Sequence, residues 1–410
     1  MKRILLILTA LAALTFSPGC SVSRNRPIDN NRPADSNQPD ERAQNLERIM
    51  VDAHVIEGHD IVNPGVRLFL EKVDYSDDPG YTRSEVSDPA YASGTDRPLP
   101  VRLTWKGGRA TSVQISTNRI FKNPKQVAAD VESPVEIYNL VPGTRYYYRV
   151  LDGRRILKEA IALPVGPLRM ISTYEGDQRP RRAVYNMRDL GGWKAGDGRQ
   201  HIAYGRLYRG SNIDNLNADP YAKNLFLNEL GISVDFDLRG YKGDEHDPQV
   251  EGLLYYQLPL RKNFEGGTGQ TERLYKKAIR QIVGWLDEGR TVYFHCAAGA
   301  DRTGTLAFLI EALLGVSESD LSKDFEITTF DGRDKRWRIP RESDPTHTIG
   351  LLIPYLRSGR FGDPSVLSIN ELVYNWATSE TQDDLQTEYV APLTPDEIAR
   401  LRALLLVSDL

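Results

Sequence analysis

Cys296 and Arg302 stand with five residues between them in the stretch TVYFHCAAGADRTG, residues 291–304. A thiolate and a guanidinium at that spacing can serve one anion, the sulfur attacking it and the planar N–H fork gripping two of its oxygens. A phosphate ester suits this pair. It calls for a nucleophile ionised at neutral pH and for a grip that persists as charge spreads in a loose transition state. Ala297, Ala298, Gly299 and Ala300 carry small side chains, so the backbone can close around a phosphate. Gly299 can also take a positive φ without strain. Thr303 can donate its hydroxyl to the departing sulfur, and His295 is placed to brace the loop.

The elements that must position these groups are legible on either side. Thr291 to Phe294 is a short apolar run with the look of a buried strand, and GTLAFLIEALLG has the spacing and composition of a packed helix. Strand, small-residue loop and helix N-terminus together collect an oxyanion, because loop amides point inward and the helix dipole adds partial positive charge. A buried structural cysteine before a helix is the plain alternative. The strand–loop–helix context favours the catalytic reading.

The segment HCAAGADRTG resembles the cysteine-dependent phosphatase signature, HC-x5-R followed by Ser or Thr. It looks most like the atypical bacterial tyrosine/dual-specificity phosphatase branch, whose loop typically reads HCxxGKDRTG. His295, Cys296, Gly299, Asp301, Arg302, Thr303 and Gly304 match that loop, and Ala300 stands where the branch usually has Lys. The resemblance extends upstream. YNMRDLGGW (Tyr185 to Trp193) is similar to an NxRDLGG motif of the branch, and IAYGRLYRGSNI to its GxxYRS segment with Gly210 inserted. ISVDFDLRG carries its DLR element, and SESDLSKDFEITTF resembles its short helical element after the loop. Arg188 and Arg209 are expected either to brace the loop or touch substrate, or to be simple ion pairs.

The resemblance implies Asp301 as the acid that protonates the leaving group and later the base toward water. Glu265, in the loop RKNFEGGTGQTE, and Asp237 are the alternatives. The run DGRDKRWRIPR (Asp331 to Arg341) holds Arg333, Lys335, Arg336, Arg338 and Arg341. Such a run is ordinarily a solvated face, and beside an active site it favours a polyanionic substrate.

With 410 residues, the chain is long enough for two or three domains. Charged residues make up 26% and the net charge is −4, which suits neither disorder nor a nucleic-acid footprint. Two cysteines, Cys20 and Cys296, allow no disulfide framework and no cysteine-based zinc site. Residues 1–20 read as an export signal ending in SPGC, similar to a bacterial lipobox with Ser17 in place of the usual Leu. A lipid-anchored envelope protein is the favoured reading, and ordinary secretion the alternative. Residues 21–60 begin polar and Pro/Asn/Asp-rich, as a flexible tether does, and His54 and His59 within them read as structural histidines.

Residues 61–170 read as a small all-β domain with strands in VRLFLEKV, PVRLTWKG, TSVQIST and RYYYRVL. Turn signals such as Asp78–Pro79–Gly80 and Gly107–Gly108 separate them. NLVPGTRYYYRV resembles the tyrosine-corner end of a fibronectin type III sandwich, with Trp105 as core tryptophan. Residues 171–410 read as an α/β domain: strands alternate with helices, which predicts a mainly parallel central sheet covered on both faces. TERLYKKAIRQIVGWLDEG is expected as a helix with Leu274, Ala278, Ile282 and Trp285 near one face. TPDEIARLRALLL is expected as a final helix capped by Thr394 and Glu397.

The resulting expectation is a phosphomonoester hydrolase without cofactor or metal, of the protein-tyrosine or dual-specificity type. Cys296, Arg302 and Asp301 would be catalytic. His295, Ala297, Ala298, Gly299, Ala300 and Thr303 would surround the substrate phosphate. Its partners would be phosphorylated proteins or small phosphomonoesters, with no nucleic acid and with membrane contact only through the anchor. A phytase-like or phosphoinositide phosphatase, and a phosphate-binding adhesion module, are the alternatives.

Overall fold

A computed structural model describes residues 55–75, 95–174, 183–240, 250–261, 269–331, 349, 352–381 and 390–408. All of these fall in one compact unit running from Asp52 to Leu410. The expected export signal, the Asp78–Pro79–Gly80 turn, Glu265 and the basic residues 333–341 lie outside the described residues.

The N-terminal part contains β1 (Ile56–Asp60), α1 (Pro64–Lys72), β2 (Val101–Leu103), β3 (Ser112–Ser116), β4 (Lys125–Ala128), β5 (Val135–Ile137), β6 (Tyr146–Asp152) and β7 (Arg155–Val165). One sheet runs β1-β7-β6-β3-β4, and β2 pairs with β5 separately. Alternate residues of both layers, among them Val101, Leu103, Val113, Ile115, Tyr148 and Val150, share one core with Trp105. The Trp105 ring N–H donates to the Gly108 carbonyl at 2.9 Å. Tyr146 accepts the Val141 N–H at 3.1 Å, which ties the start of β6 to the preceding corner.

Two expectations here are corrected. The run VRLFLEKV forms helix α1 rather than a strand. Asn63 caps it by accepting the Gly65 N–H at 3.0 Å, and Pro64 sits in its first turn. Val66 and Phe69, three residues apart, turn one buried face toward the α/β core instead of the sandwich. Strand propensity yields to a cap, a helix-compatible proline and a helical spacing. Residues 56–60, placed within the tether, form strand β1, which pairs in parallel with β7. Its partner lies about a hundred residues further on, so local pattern carries no trace of it.

The α/β part contains β8 (Arg188–Asp189), β9 (Lys194–Ala195), β10 (Gln200–Ile202), β11 (Leu207–Gly210), α2 (Pro220–Asn224), β12 (Val234–Asp237), β13 (Leu254–Gln257), α3 (Gly269–Asp287), β14 (Val292–His295), α4 (Asp301–Leu314), α5 (Glu318–Ile327), α6 (Leu352–Leu356), α7 (Ile369–Thr378), α8 (Pro395–Leu405) and β15 (Leu406–Ser408). The main sheet runs β13-β12-β14-β11-β8. Its first four strands are parallel and β8 is an antiparallel edge. Val292 and Phe294 face a core shared with α3 and α4, and Tyr293 faces the opposite core with Phe226. Both faces are therefore covered, which is why β14 reads as an unbroken apolar run. On α3, Ala278, Ile282 and Trp285 are buried and Leu274 packs partly buried beside them. Helix α8 carries the expected Thr394–Glu397 capping box. A small sheet of β15, β10 and β9, not anticipated from sequence, ties the last described residues to the α/β part.

Candidate active site

Three strands bring the site together. Gly210 at the end of β11 and Asp237 at the end of β12 both align with His295 at the end of β14. The chain then turns through residues 296–300 and enters α4 at Asp301. Ala300 stands at the cap position with no side-chain hydrogen bond to the first turn. The first N–H groups of a helix have no intrahelical partner, so this end of α4 is polarised toward an anion.

The loop is held from outside by its carbonyls. Ala297 O accepts from the Asn212 N–H at 3.2 Å and from Asn212 Nδ2 at 3.0 Å. Gly299 O accepts from Asn186 Nδ2 and from Arg209 Nη2, each at 3.0 Å. In a trans peptide the N–H opposes the carbonyl, so bonds that hold these carbonyls also fix the direction of the neighbouring amides. Gly299 has φ 68°, and a Cβ there would lie 2.2 Å from the Gly210 carbonyl group. It is the missing Cβ of Gly299 that lets the loop approach β11 backbone to backbone, whereas a Cβ at Gly210 would meet the Tyr293 hydroxyl at 2.4 Å.

Cys296 is 3% exposed and unpaired in any disulfide. Burial opposes its ionisation. The Arg302 guanidinium, then the Thr303 hydroxyl and N–H, overcome that and hold the thiol below its ordinary value. Asp301, next to the arginine, works slightly against the thiolate.

His295 was grouped with the residues around the phosphate, and this is corrected. Its buried ring faces Asp235, with Nε2 at 2.8 Å from Oδ1, while Nδ1 lies 3.2 Å from the Cys296 carbonyl. Burial resists charging of the ring, but Asp235 and then Asp237 raise its pKa. The ring is a strut below the loop. The alternative acid Asp237 is likewise excluded from that role: it is fully buried and bound to Arg239, which also reaches Asp214 at 2.8 Å. Burial would raise its pKa, yet His295 and Arg239 keep it lowered, so it holds no proton to give. Asp301 and Arg302 are both half-buried at the start of α4, where the expected acid and anion grip are required.

Sequence reasoning left Arg188 and Arg209 undecided. They are braces. Asp324 of α5 receives Arg188 Nε at 2.8 Å and also pairs with Arg209 Nη1. Burial would raise the Asp324 pKa, and the two guanidiniums more than reverse it. Arg188 Nη1 donates to Asn186 Oδ1 at 2.6 Å. Gly304 lets α4 close on this group: a Cβ there would meet Phe325 at 2.7 Å. Glu311 on α4 is wholly buried, and neither of its carboxylate oxygens has a hydrogen-bond partner among the described residues. Burial, reinforced by Asp324, pushes its carboxyl well above the usual range. Asn186, Asp324, Asp235 and Glu311 were missed from sequence. Only Asn186 had a signal, as the first fixed position of the NxRDLGG-like motif.

A depressed thiol at the carboxyl end of a central parallel strand, above an uncapped helix start, defines an α/β domain built around a cysteine anion loop. The tyrosine phosphatase family model matches residues 180–407, more than half of the chain, and the protein belongs to that family. A Cupriavidus necator protein that carries a tyrosine-protein phosphatase name is 30% identical over 166 residues, covering 35% of this chain. The chain spans 59% of that relative's length. Among solved structures, Pseudomonas aeruginosa TpbA is 15% identical with a TM-score of 0.28, covering 45% of this chain and 96% of its own. PTPMT1 in complex with PI(5)P is 11% identical with a TM-score of 0.25, covering 43% and 96%. At those scores the two structures carry no weight here.

Proposed function

We propose that the protein hydrolyses phosphomonoesters, as a protein-tyrosine or dual-specificity phosphatase, through a phosphocysteine. The Cys296 thiolate attacks phosphorus in line. The Arg302 fork and the loop amides hold the equatorial oxygens, and Asp301 gives its proton to the leaving oxygen as the P–O bond breaks. Asp301, now a carboxylate, takes a proton from the water that attacks phosphorus; the new P–O bond forms as the P–S bond breaks, and inorganic phosphate leaves with the thiolate restored. The observation that carries this reading is geometric: Cys296 directly follows β14, Arg302 lies in the first turn of α4, and Asn186, Arg209 and Asn212 hold the loop between them by its carbonyls.

The test is hydrolysis of p-nitrophenyl phosphate and of a phosphotyrosine peptide. Cys296→Ser should abolish both while leaving circular dichroism and the unfolding midpoint unchanged. Turnover by that variant near the wild-type rate rules the nucleophile out. Two further parts of the proposal rest on sequence: SPGC supports export as a lipid-anchored envelope protein, and NLVPGTRYYYRV supports a sandwich of fibronectin type III kind ahead of the catalytic part. The bond from Val141 to Tyr146 favours the second.

A further inference from the structure

We propose that Asp96, on the segment leading into the β sandwich, is a positioning residue for the phosphate loop and acts through Asn186. This rests on the loop being the anion cup argued above. Asn186 is wholly buried and holds φ 52°, a left-handed backbone that a residue with a Cβ keeps only when its surroundings fix it. Its side chain is fully engaged. Nδ2 reaches Gly299 O at 3.0 Å, Ala298 O at 3.4 Å and Thr328 Oγ1 at 3.1 Å, and Oδ1 accepts from Arg188. The amide of one asparagine therefore sets where two loop carbonyls point, and through them where the intervening N–H groups face.

The backbone of that asparagine is held by Asp96. The Asn186 N–H donates to Asp96 Oδ2 at 3.3 Å, across ninety residues of sequence. Asp96 is 5% exposed, and its own N–H donates to Phe330 O at 3.1 Å. Phe330 lies in the turn Thr328–Asp331, which also supplies the Thr328 hydroxyl to Asn186. The same turn meets α1 edge-on, with Phe69 and Phe330 ring centroids 5.8 Å apart. Nearby, Tyr75 donates to Glu326 on α5 at 2.5 Å, two residues from Asp324. The segments flanking the sandwich thus close on the block that supports the loop. A carboxylate oxygen at a buried left-handed N–H fixes the backbone more firmly than water would.

The experiment is hydrogen exchange by mass spectrometry on the full chain, with inhibition by inorganic phosphate as a second readout. Asp96→Ala should speed exchange in peptides covering 296–304 about tenfold, as expected for losing one buried hydrogen bond, and leave β12 and β13 peptides unchanged. It should weaken phosphate inhibition by a similar factor. Asp96→Asn keeps an acceptor oxygen and should restore both readouts to near wild type. Tyr75→Phe, a milder cut into the same support, should move the same peptides in the same direction should Asp96→Ala fold poorly. Unchanged loop exchange in a folded Asp96→Ala overturns the proposal, as does unchanged exchange in Tyr75→Phe where Asp96→Ala does not fold, and so does equal loss in the Ala and Asn variants. The exchange readout needs no turnover. A wild-type protein that hydrolyses nothing, yet shows the loop effect, would therefore count against the catalytic reading alone.

Discussion

Arg209 and Gly299 lie ninety residues apart and are joined by a 3.0 Å hydrogen bond from guanidinium to carbonyl. That bond fixes the steepest part of the loop from behind, at the one residue whose backbone only glycine adopts cheaply. The consequences for Gly299 are the most local.

Gly299→Ala should cost about 2 kcal/mol or more in stability and remove phosphatase activity together. The added Cβ would lie 2.2 Å from the Gly210 carbonyl group, at a backbone φ of 68°. Chemical denaturation alongside a p-nitrophenyl phosphate assay measures both. A stable, fully active Ala variant contradicts the close approach of β11 to the loop.

Asp324→Asn leaves Arg188 and Arg209 buried beside an uncharged amide. Removing one partner from such a cluster costs about 3–5 kcal/mol. Urea unfolding should show a loss of that order, and catalysis should fall further than the remaining folded fraction explains, because Arg209 also holds Gly299. A loss below about 1 kcal/mol would mean that the cluster does not depend on this carboxylate.

Asp301→Asn should slow hydrolysis in proportion to how poor the leaving group is. Positioned general acids contribute roughly 100-fold or more when the leaving oxygen needs a proton. An alkyl phosphate should therefore lose about 100-fold and p-nitrophenyl phosphate about tenfold or less. Uniform losses across a leaving-group series reject Asp301 as the acid.

His295 predicts a pH dependence of stability. Its pKa is raised in the fold, against burial, by Asp235 and Asp237. A raised basic group contributes its full stabilisation below the unfolded pKa, about 6.5, and loses it as pH climbs through the folded value. The difference in melting temperature between wild type and His295→Gln should therefore be largest near pH 6 and shrink toward alkaline pH. A gap that widens with pH reverses the sign and removes the His295–Asp235 ion pair as its cause.

The loop and its immediate frame were legible because their chemistry is local. Residues 291–304 encode strand, turn and helix in one run, and the capping box of α8 spans only four residues. What escaped reading was non-local. Asp324 sits 115 residues from Arg209 and was read only as part of a helical segment, since nothing in a short window marks a buried carboxylate between two guanidiniums. The helix α1 was misread because Val and Phe favour strands on average, whereas Asn63 and Pro64 were the more informative signals. For His295 two readings stood side by side, a brace of the loop and a neighbour of the phosphate, and the ring's contact with Asp235 agrees with the brace.

Helix α1 belongs to the α/β core although the sandwich strands follow it in the chain. During synthesis its apolar side, with Val66 and Phe69, is made long before Phe330 exists to meet it. That apolar surface is made some 260 residues ahead of Phe330, which it packs beside in the finished core. An expression fragment beginning at residue 171 would strand the same gap from the other side, leaving a bare groove in the catalytic core where the helix belongs.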